Sequence, residues 1–158
     1  MQPIWLVAHD FSPAAEAALG EAASVLVRLS GELLLLHAYR LPPVTGGLEA
    51  MANRTGLASW NRISARFEDS ARTHLEDVAA RASTRFPGLA IRTRMEEGAP
   101  APTVARVAEE EKVDRVVVGY SPRGGLSRRI IVSNTDRILQ LSPVPVLVVK
   151  ASGAPGPL

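Results

Sequence analysis

Along the chain, short runs of β-type apolar residues alternate with longer stretches whose apolar positions recur every three or four residues. The first run is Ile4-Trp5-Leu6-Val7-Ala8. Ser12-Pro13 then supplies a helix start: a side-chain acceptor at the N-cap, followed by a proline whose missing N–H costs nothing in the first turn. Ala15, Ala18, Leu19, Ala22, Leu26 and Leu29 follow one helical stripe, and Gly31 stands where a left-handed C-terminal residue is wanted. Leu33-Leu34-Leu35-Leu36 is continuous rather than alternating, which predicts a strand buried on both faces at the centre of a parallel sheet. Residues 40–59, with Pro42-Pro43 and Gly46-Gly47, predict a long irregular connection.

Ile63, Phe67, Ala71, Leu75, Val78, Ala82 and Phe86 continue at spacings of three and four, a long amphipathic helix stopped by Pro87-Gly88. His74 falls in the middle of it, at a position predicted to be exposed. Leu89, Ile91, Thr93 and Met95 alternate with Ala90, Arg92 and Arg94, the pattern of a half-exposed edge strand. A third helix runs from Pro100 to Glu111 with Val104, Val107 and Ala108 inward, and its acidic end Glu109-Glu110-Glu111 reads as a solvated face. Val116-Val117-Val118-Gly119 is a further buried strand. Ser133-Asn134-Thr135-Asp136 opens a last helix, which Ile138, Leu139 and Leu141 continue. Val144-Pro145-Val146-Leu147-Val148-Val149 is the final strand.

The order is β-α-β-α-β-α-β-α-β. Strict alternation predicts an α/β, single-domain, Rossmann-like open parallel five-stranded sheet with helices on both faces and right-handed crossovers. The domain spans residues 1–150, and residues 151–158, rich in Gly and Pro, form a flexible tail. Such sheets bind ligands beyond the carboxyl ends of their strands, where the strand order reverses. Function is therefore expected around residues 8–12, 37–40 and 119–134.

A length of 158 residues fits one domain. With no cysteine, disulfide scaffolds, zinc ribbons, iron–sulfur clusters and thiol nucleophiles are excluded. Lys plus Arg number 18 against 16 Asp plus Glu, a net charge of +2, so the pI of about 9.5 belongs to a near-balanced, arginine-rich chain. No concentrated basic face is evident, and no specific nucleic acid is expected as a partner. No apolar run approaches the roughly 18 to 20 residues that span a bilayer, and the start lacks a basic signal region. No membrane partner and a cytoplasmic location are expected.

Motifs for turnover are missing. Gly119-Tyr120-Ser121-Pro122-Arg123 fails the nucleophile-elbow pattern at its last position and carries a proline directly after the serine. A Walker loop is absent. A phosphoacceptor receiver domain would need an aspartate after the third strand, where Glu96-Glu97-Gly98 stands instead. His9 and His37 end adjacent strands and, with Asp10, would give three ligands, but strand-end histidines are usually hydrogen-bonded, and no metal is expected. The chain is not read as an enzyme, and no catalytic residue is assigned.

The loop from Gly119 to the Ser133 helix start is the most informative stretch. Its glycines allow a backbone to approach a phosphate, Ser133 adds a hydroxyl at a helix N-terminus, and Arg123, Arg128 and Arg129 offer charge-assisted bonds. A solvated turn is the competing reading. Val7-Ala8-His9-Asp10-Phe11-Ser12, Leu34-Leu35-Leu36-His37-Ala38 and the stretch from Val116 through Gly124-Gly125-Leu126-Ser127-Arg128 to Val149 carry a resemblance to the universal stress protein family, over residues 4–150. That resemblance implies a fold of the adenine nucleotide alpha hydrolase-like kind. It implies a cleft for ATP or AMP, with Mg, at Asp10, the backbone of Ala38, Gly119, Ser121, Ser133 and Asn134. It also implies a homodimer through the last strand, Val144 to Val149, and a role in stress-related regulation or protection.

ATP-binding members carry Gly, two residues, Gly, nine residues, Gly, then Ser or Thr. Here Gly119 and Ser133 keep their places, while Pro122 and Val132 replace the second and third glycines. Proline has no N–H for a phosphate, and valine adds a branched side chain where glycine lets the phosphates lie against the helix. The expectation is a degraded cleft that binds ATP weakly or not at all. A competent ATP- or AMP-binding switch stands as the alternative. Asp10 is read either as a partner of the nucleoside or as an N-cap of the first helix.

Overall fold

The computed structural model describes residues 2–41, 54–121 and 133–151, with side chains from residue 60 onward in the helix that begins at Arg54. The elements follow the predicted alternation: β1 (Ile4–Ala8), α1 (Pro13–Leu26), β2 (Glu32–Tyr39), α2 (Arg54–Arg85), β3 (Ala90–Glu97), α3 (Pro100–Glu110), β4 (Arg115–Tyr120), α4 (Asn134–Leu141) and β5 (Val146–Lys150). The five strands are parallel in the order β3-β2-β1-β4-β5. The chain leaves β1 toward one edge and returns to the other side of it for β4, so the strand order reverses between β1 and β4.

Period-two side-chain alternation divides the core into two layers. Trp5 and Val7, Leu33 and Leu35, and Val117 pack under α1 and α2. Leu6, Leu34 and Leu36, and Val116 and Val118 pack under α3 and α4 with Val104, Val107 and Ile138. The unbroken leucine run is thus explained: alternate leucines fill opposite layers, and all four are essentially buried. Truncating one to alanine would cost on the order of 2–5 kcal/mol.

Several local expectations need correction. Residues 54–59, read as part of the connection, are helical and belong to α2; the rest of that connection, 42–53, lies outside the described residues. Helix α1 ends at Leu26 rather than Leu29, and the left-handed residue is Ser30 (φ 51°), not Gly31. Gly31 is needed for a different reason: a Cβ there would stand 2.7 Å from the Pro3 carbonyl oxygen. β5 starts at Val146 because Pro145 lacks an N–H; its carbonyl still accepts the Val116 N–H at 3.0 Å. The end of α3 is not simply solvated. Glu110 and Glu111 bind Arg94 at 2.7 Å each, and Arg94 also holds Glu96 at 2.7 Å. Arg92 pairs with Glu32 and Glu111, and Arg106 with Glu96 and Glu110. This network lines the edge strand β3 with charge, which discourages pairing by another chain there. Among the described residues no helix is long and apolar enough to cross a membrane.

Candidate functional site

At the point where the strand order reverses, the carboxyl ends of β1 and β4 diverge and leave a cleft. Ala8, His9 and Asp10 form one wall, Leu36 and Ala38 of β2 another, and Val118 and Gly119 of β4 a third. Pro100 and Val104 of α3 and Asn134, Thr135 and Ile138 of α4 close it from the side. Of the residues expected in a nucleotide cleft, Asp10, Ala38, Gly119 and Asn134 are brought together here. Ser133 caps the adjoining helix, and Ser121 is exposed and outside the cleft lining. Pro122 and Val132, on which the loop argument turned, lie outside the described residues.

The β1–α1 corner is built by a chain of side-chain caps. Ser12 is the N-cap of α1, its Oγ accepting the Ala15 N–H at 3.2 Å. Asp10 does not cap the helix: its Oδ1 accepts the Ser12 N–H at 3.0 Å, and its exposed carboxylate stands on the cleft wall. Between them Phe11 takes a left-handed φ of 65°. That turns its N–H onto Nδ1 of His9 at 3.1 Å. His9 is buried, its own N–H donates to the Leu36 carbonyl at 2.8 Å, and its Nε2 stands 3.7 Å from Glu16 without a hydrogen-bond partner. Burial pushes the His9 pKa below the ordinary imidazole value; Glu16 and Asp10 oppose the change, while His37 and Arg81 reinforce it. His37 donates from Nδ1 to the His9 carbonyl at 2.7 Å. The two histidines therefore meet through a backbone carbonyl, not as a pair of ring nitrogens aimed at one metal. The Phe11 ring stacks 4.5 Å from His37 and 5.7 Å from His74, which is exposed on α2 as the sequence suggested.

On the other side, Thr135 Oγ1 donates to the Gly119 carbonyl at 3.3 Å and ties α4 to β4. Gly119 is glycine for packing: an added Cβ would lie 2.1 Å from the Ala14 carbonyl oxygen at the start of α1. At the start of α4, Ser133 Oγ accepts the Asp136 N–H at 3.1 Å and donates to Asp136 Oδ2 at 2.8 Å. The same Oδ2 accepts the Ser133 N–H at 3.0 Å. A capping box is thus closed on itself, and a carboxylate occupies the helix end where an anion would otherwise be attracted. Sequence reasoning placed Asp136 at the helix start but missed its carboxylate as a cap, although the pattern of serine followed three residues later by an acid was legible. It also missed Thr135 and Pro100, which carry no motif and enter the cleft only through the fold.

The chain is 28% identical over 145 residues to the universal stress protein MJ0531 of Methanocaldococcus jannaschii, covering 92% of this chain and 80% of the relative. The structure of protein MJ0577 from the same organism superposes with a TM-score of 0.71 at 22% identity, covering 98% of this chain and 99% of the other. A universal stress protein family protein from Arabidopsis thaliana, solved with AMP bound, superposes with a TM-score of 0.64 at 16% identity, covering 96% and 93%. Residues 4–150 match the family model described as the universal stress protein family, and the chain belongs to that family.

Proposed function

We propose that the protein is a non-enzymatic, cytoplasmic, homodimeric binding protein of the stress response. In this reading its cleft keeps the nucleoside half of a nucleotide site and is closed to a triphosphate at the α4 end. The observation that carries it is the capping box of Ser133 and Asp136. Both polar groups of Ser133 are already spent, and the Asp136 charge repels phosphate at a position where a helix start normally attracts it. The replacement of two loop glycines by Pro122 and Val132 points the same way. The nucleoside half is supported by Asp10, Ala38 and Gly119 around one cleft, and by the AMP bound to the Arabidopsis relative. Dimerisation through β5 is supported by its position as an edge strand, with Val148, Leu139 and Leu141 exposed nearby on β5 and α4.

Titration calorimetry with adenosine, AMP and Mg-ATP tests the reading. Adenosine is expected to bind, and ATP to bind no better than adenosine. Asp136→Asn keeps an acceptor for the cap and removes the charge, so ATP affinity should rise about fivefold, or about 1 kcal/mol. Tight ATP binding by the parent chain, indifferent to Asp136→Asn, would refute it. Light scattering at micromolar concentration should give twice the chain mass.

A further inference from the structure

Beside the cleft, and sharing Pro100 and Asn134 with it, a second hollow of about 390 Å³ opens between the end of β2 and the starts of α3 and α4. Two arginines line it from different elements: Arg40, directly after β2, and Arg137, in the first turn of α4. Among the described residues the remaining lining is alanine, proline and Asn134, with no acidic residue. Neither arginine makes an ion pair or side-chain hydrogen bond with another described residue. This contrasts with Arg92, Arg94 and Arg106, each of which binds two or three carboxylates. Two guanidinium groups sharing one hollow repel each other unless an anion lies between them, and arginine pairs suit the oxygens of a phosphate. Helix α3, whose start also lines the hollow, has no side-chain cap and no acid in its first turn, so the positive end of its dipole favours an anion there. Asp136 and Arg137 are neighbours in the first turn of α4, but the Asp136 carboxylate is taken up by the cap on Ser133 and does not line the hollow, whereas Arg137 does.

We propose that Arg40 and Arg137 form an anion subsite opening off the cleft, which takes the phosphate of a nucleoside monophosphate whose base and ribose occupy the cleft. The proposal rests on the nucleoside reading above and relocates the phosphate from the 119–133 loop to the arginine pair. Both arginines are solvent-exposed, so the contacts are charge-assisted bonds weakened by salt, which is why the test is made at low ionic strength. The shared residues Pro100 and Asn134 make the two cavities neighbours, so one small ligand reaches both.

Calorimetry on the full chain at low salt, with adenosine, AMP and inorganic phosphate as separate probes, tests it. AMP should bind at least about tenfold more tightly than adenosine. The double variant Arg40→Gln with Arg137→Gln should bring AMP to within about twofold of adenosine and leave adenosine unchanged. Both residues are exposed, and a matched double variant, Arg28→Gln with Arg66→Gln, removes the same charge elsewhere on the surface. That control should leave AMP within about twofold of the parent. Equal loss in both double variants would mean bulk charge, and no loss in the first would remove the subsite; either overturns the proposal. Inorganic phosphate binding as tightly as AMP would overturn its nucleotide part. If adenosine fails to bind at all, the nucleoside reading falls on its own. Pyrophosphate followed by NMR at the Arg40 and Arg137 Nε–H signals then decides the subsite: saturable shifts that vanish in the double variant keep it, and their absence ends it.

Discussion

The backbone N–H of Phe11 donates to Nδ1 of His9 at 3.1 Å, and this single bond fixes the tautomer of a buried imidazole on the cleft wall. With Nδ1 accepting, the neutral ring carries its proton on Nε2, facing Glu16 at 3.7 Å. A second proton would have to sit on Nδ1, against the Phe11 N–H. Burial and this misplaced donor both resist charging, in agreement with the downward direction of the His9 pKa. The unfolded chain takes up that proton near the ordinary value of 6.5, whereas the folded chain refuses it until a lower pH. Unfolded protein thus binds more protons just below 6.5, and stability falls as pH falls through that window.

Denaturant unfolding of the parent at pH 7.5 and pH 5.5 should therefore show a loss of stability that His9→Asn largely removes. Asparagine presents an acceptor to the Phe11 N–H but does not titrate. A parent and variant with the same pH slope would assign the burial of His9 no proton linkage. Glu96, Glu110 and Glu111 are held below the ordinary carboxylate value of 4.5, Glu96 and Glu110 chiefly by Arg106 and then Arg94. For Glu111, burial opposes the change and bonds from Arg92 and Arg94 overcome it. Their contribution is present above 4.5 and is lost only as pH falls below it, so it does not enter the His9 window.

Phe11 itself holds φ at 65°, in a region where a side chain costs about 1–2 kcal/mol relative to right-handed backbone. What holds it there is the bond to His9 and the stacking of its ring on His9, His37 and His74. Phe11→Ala loses the ring and keeps the strained backbone, whereas Phe11→Gly loses the ring and relaxes it. Phe11→Gly should be more stable than Phe11→Ala by about 1 kcal/mol, a reversal of the usual order for these two residues. Equal stabilities would mean that the corner rearranges when the ring is removed.

The sheet, its helices on both faces and its edge strand β3 were legible because burial imposes a period on the sequence. The four consecutive leucines of β2, which favour helix intrinsically, read as a strand because the run is short and follows the break at Gly31. In α2 the stripe is buried at Ala71, Leu75, Val78 and Ala82, whereas Ile63 and Phe67 at the same spacing are exposed. Strand-end positions were legible as a region, since the reversal point of a parallel sheet is fixed by topology. What escaped was set by contacts between residues far apart in sequence. No local pattern assigns Gly119 to a collision with Ala14, or Glu111 to Arg92 and Arg94, and none brings Arg40 and Arg137 to one hollow. The left-handed residue fell on Ser30 rather than Gly31 for a similar reason, because Gly31 is required by the approach of Pro3.

Gly119 lines the candidate cleft and is also required by the fold. Its carbonyl holds Thr135, and its missing side chain admits the backbone of Ala14, 2.1 Å from where a Cβ would stand. Backbone atoms at the start of a capped helix do not yield as a flexible side chain does. Gly119→Ala should destabilise the protein by about 3 kcal/mol, at the upper end of overpacking costs, and lower the midpoint of thermal unfolding by about 6 to 12 °C. The loss should be the same with and without nucleotide. A variant of unchanged stability that no longer binds adenosine would instead make Gly119 purely a ligand contact.

The proposed exclusion of a triphosphate rests on two features, the loop sequence and the helix cap, and combined variants separate them. Pro122 denies an N–H and Val132 adds a branched group, both in the loop; Asp136 adds a negative charge, on the helix. The double change Pro122→Gly with Val132→Gly should create or improve ATP binding, and Asp136→Asn should improve it by about fivefold. If the steric and electrostatic obstacles act on the same phosphates, the triple variant should gain more than the product of the two separate effects. With both loop glycines restored the phosphates would lie closer to the Asp136 charge, so its removal would count for more than in the parent. Calorimetry with Mg-ATP on the four proteins gives the coupling directly. A triple variant that folds but is as inert to ATP as the parent would mean that neither the missing glycines nor the carboxylate excludes the triphosphate. A gain equal to the simple product would mean that loop and cap act on different parts of the ligand.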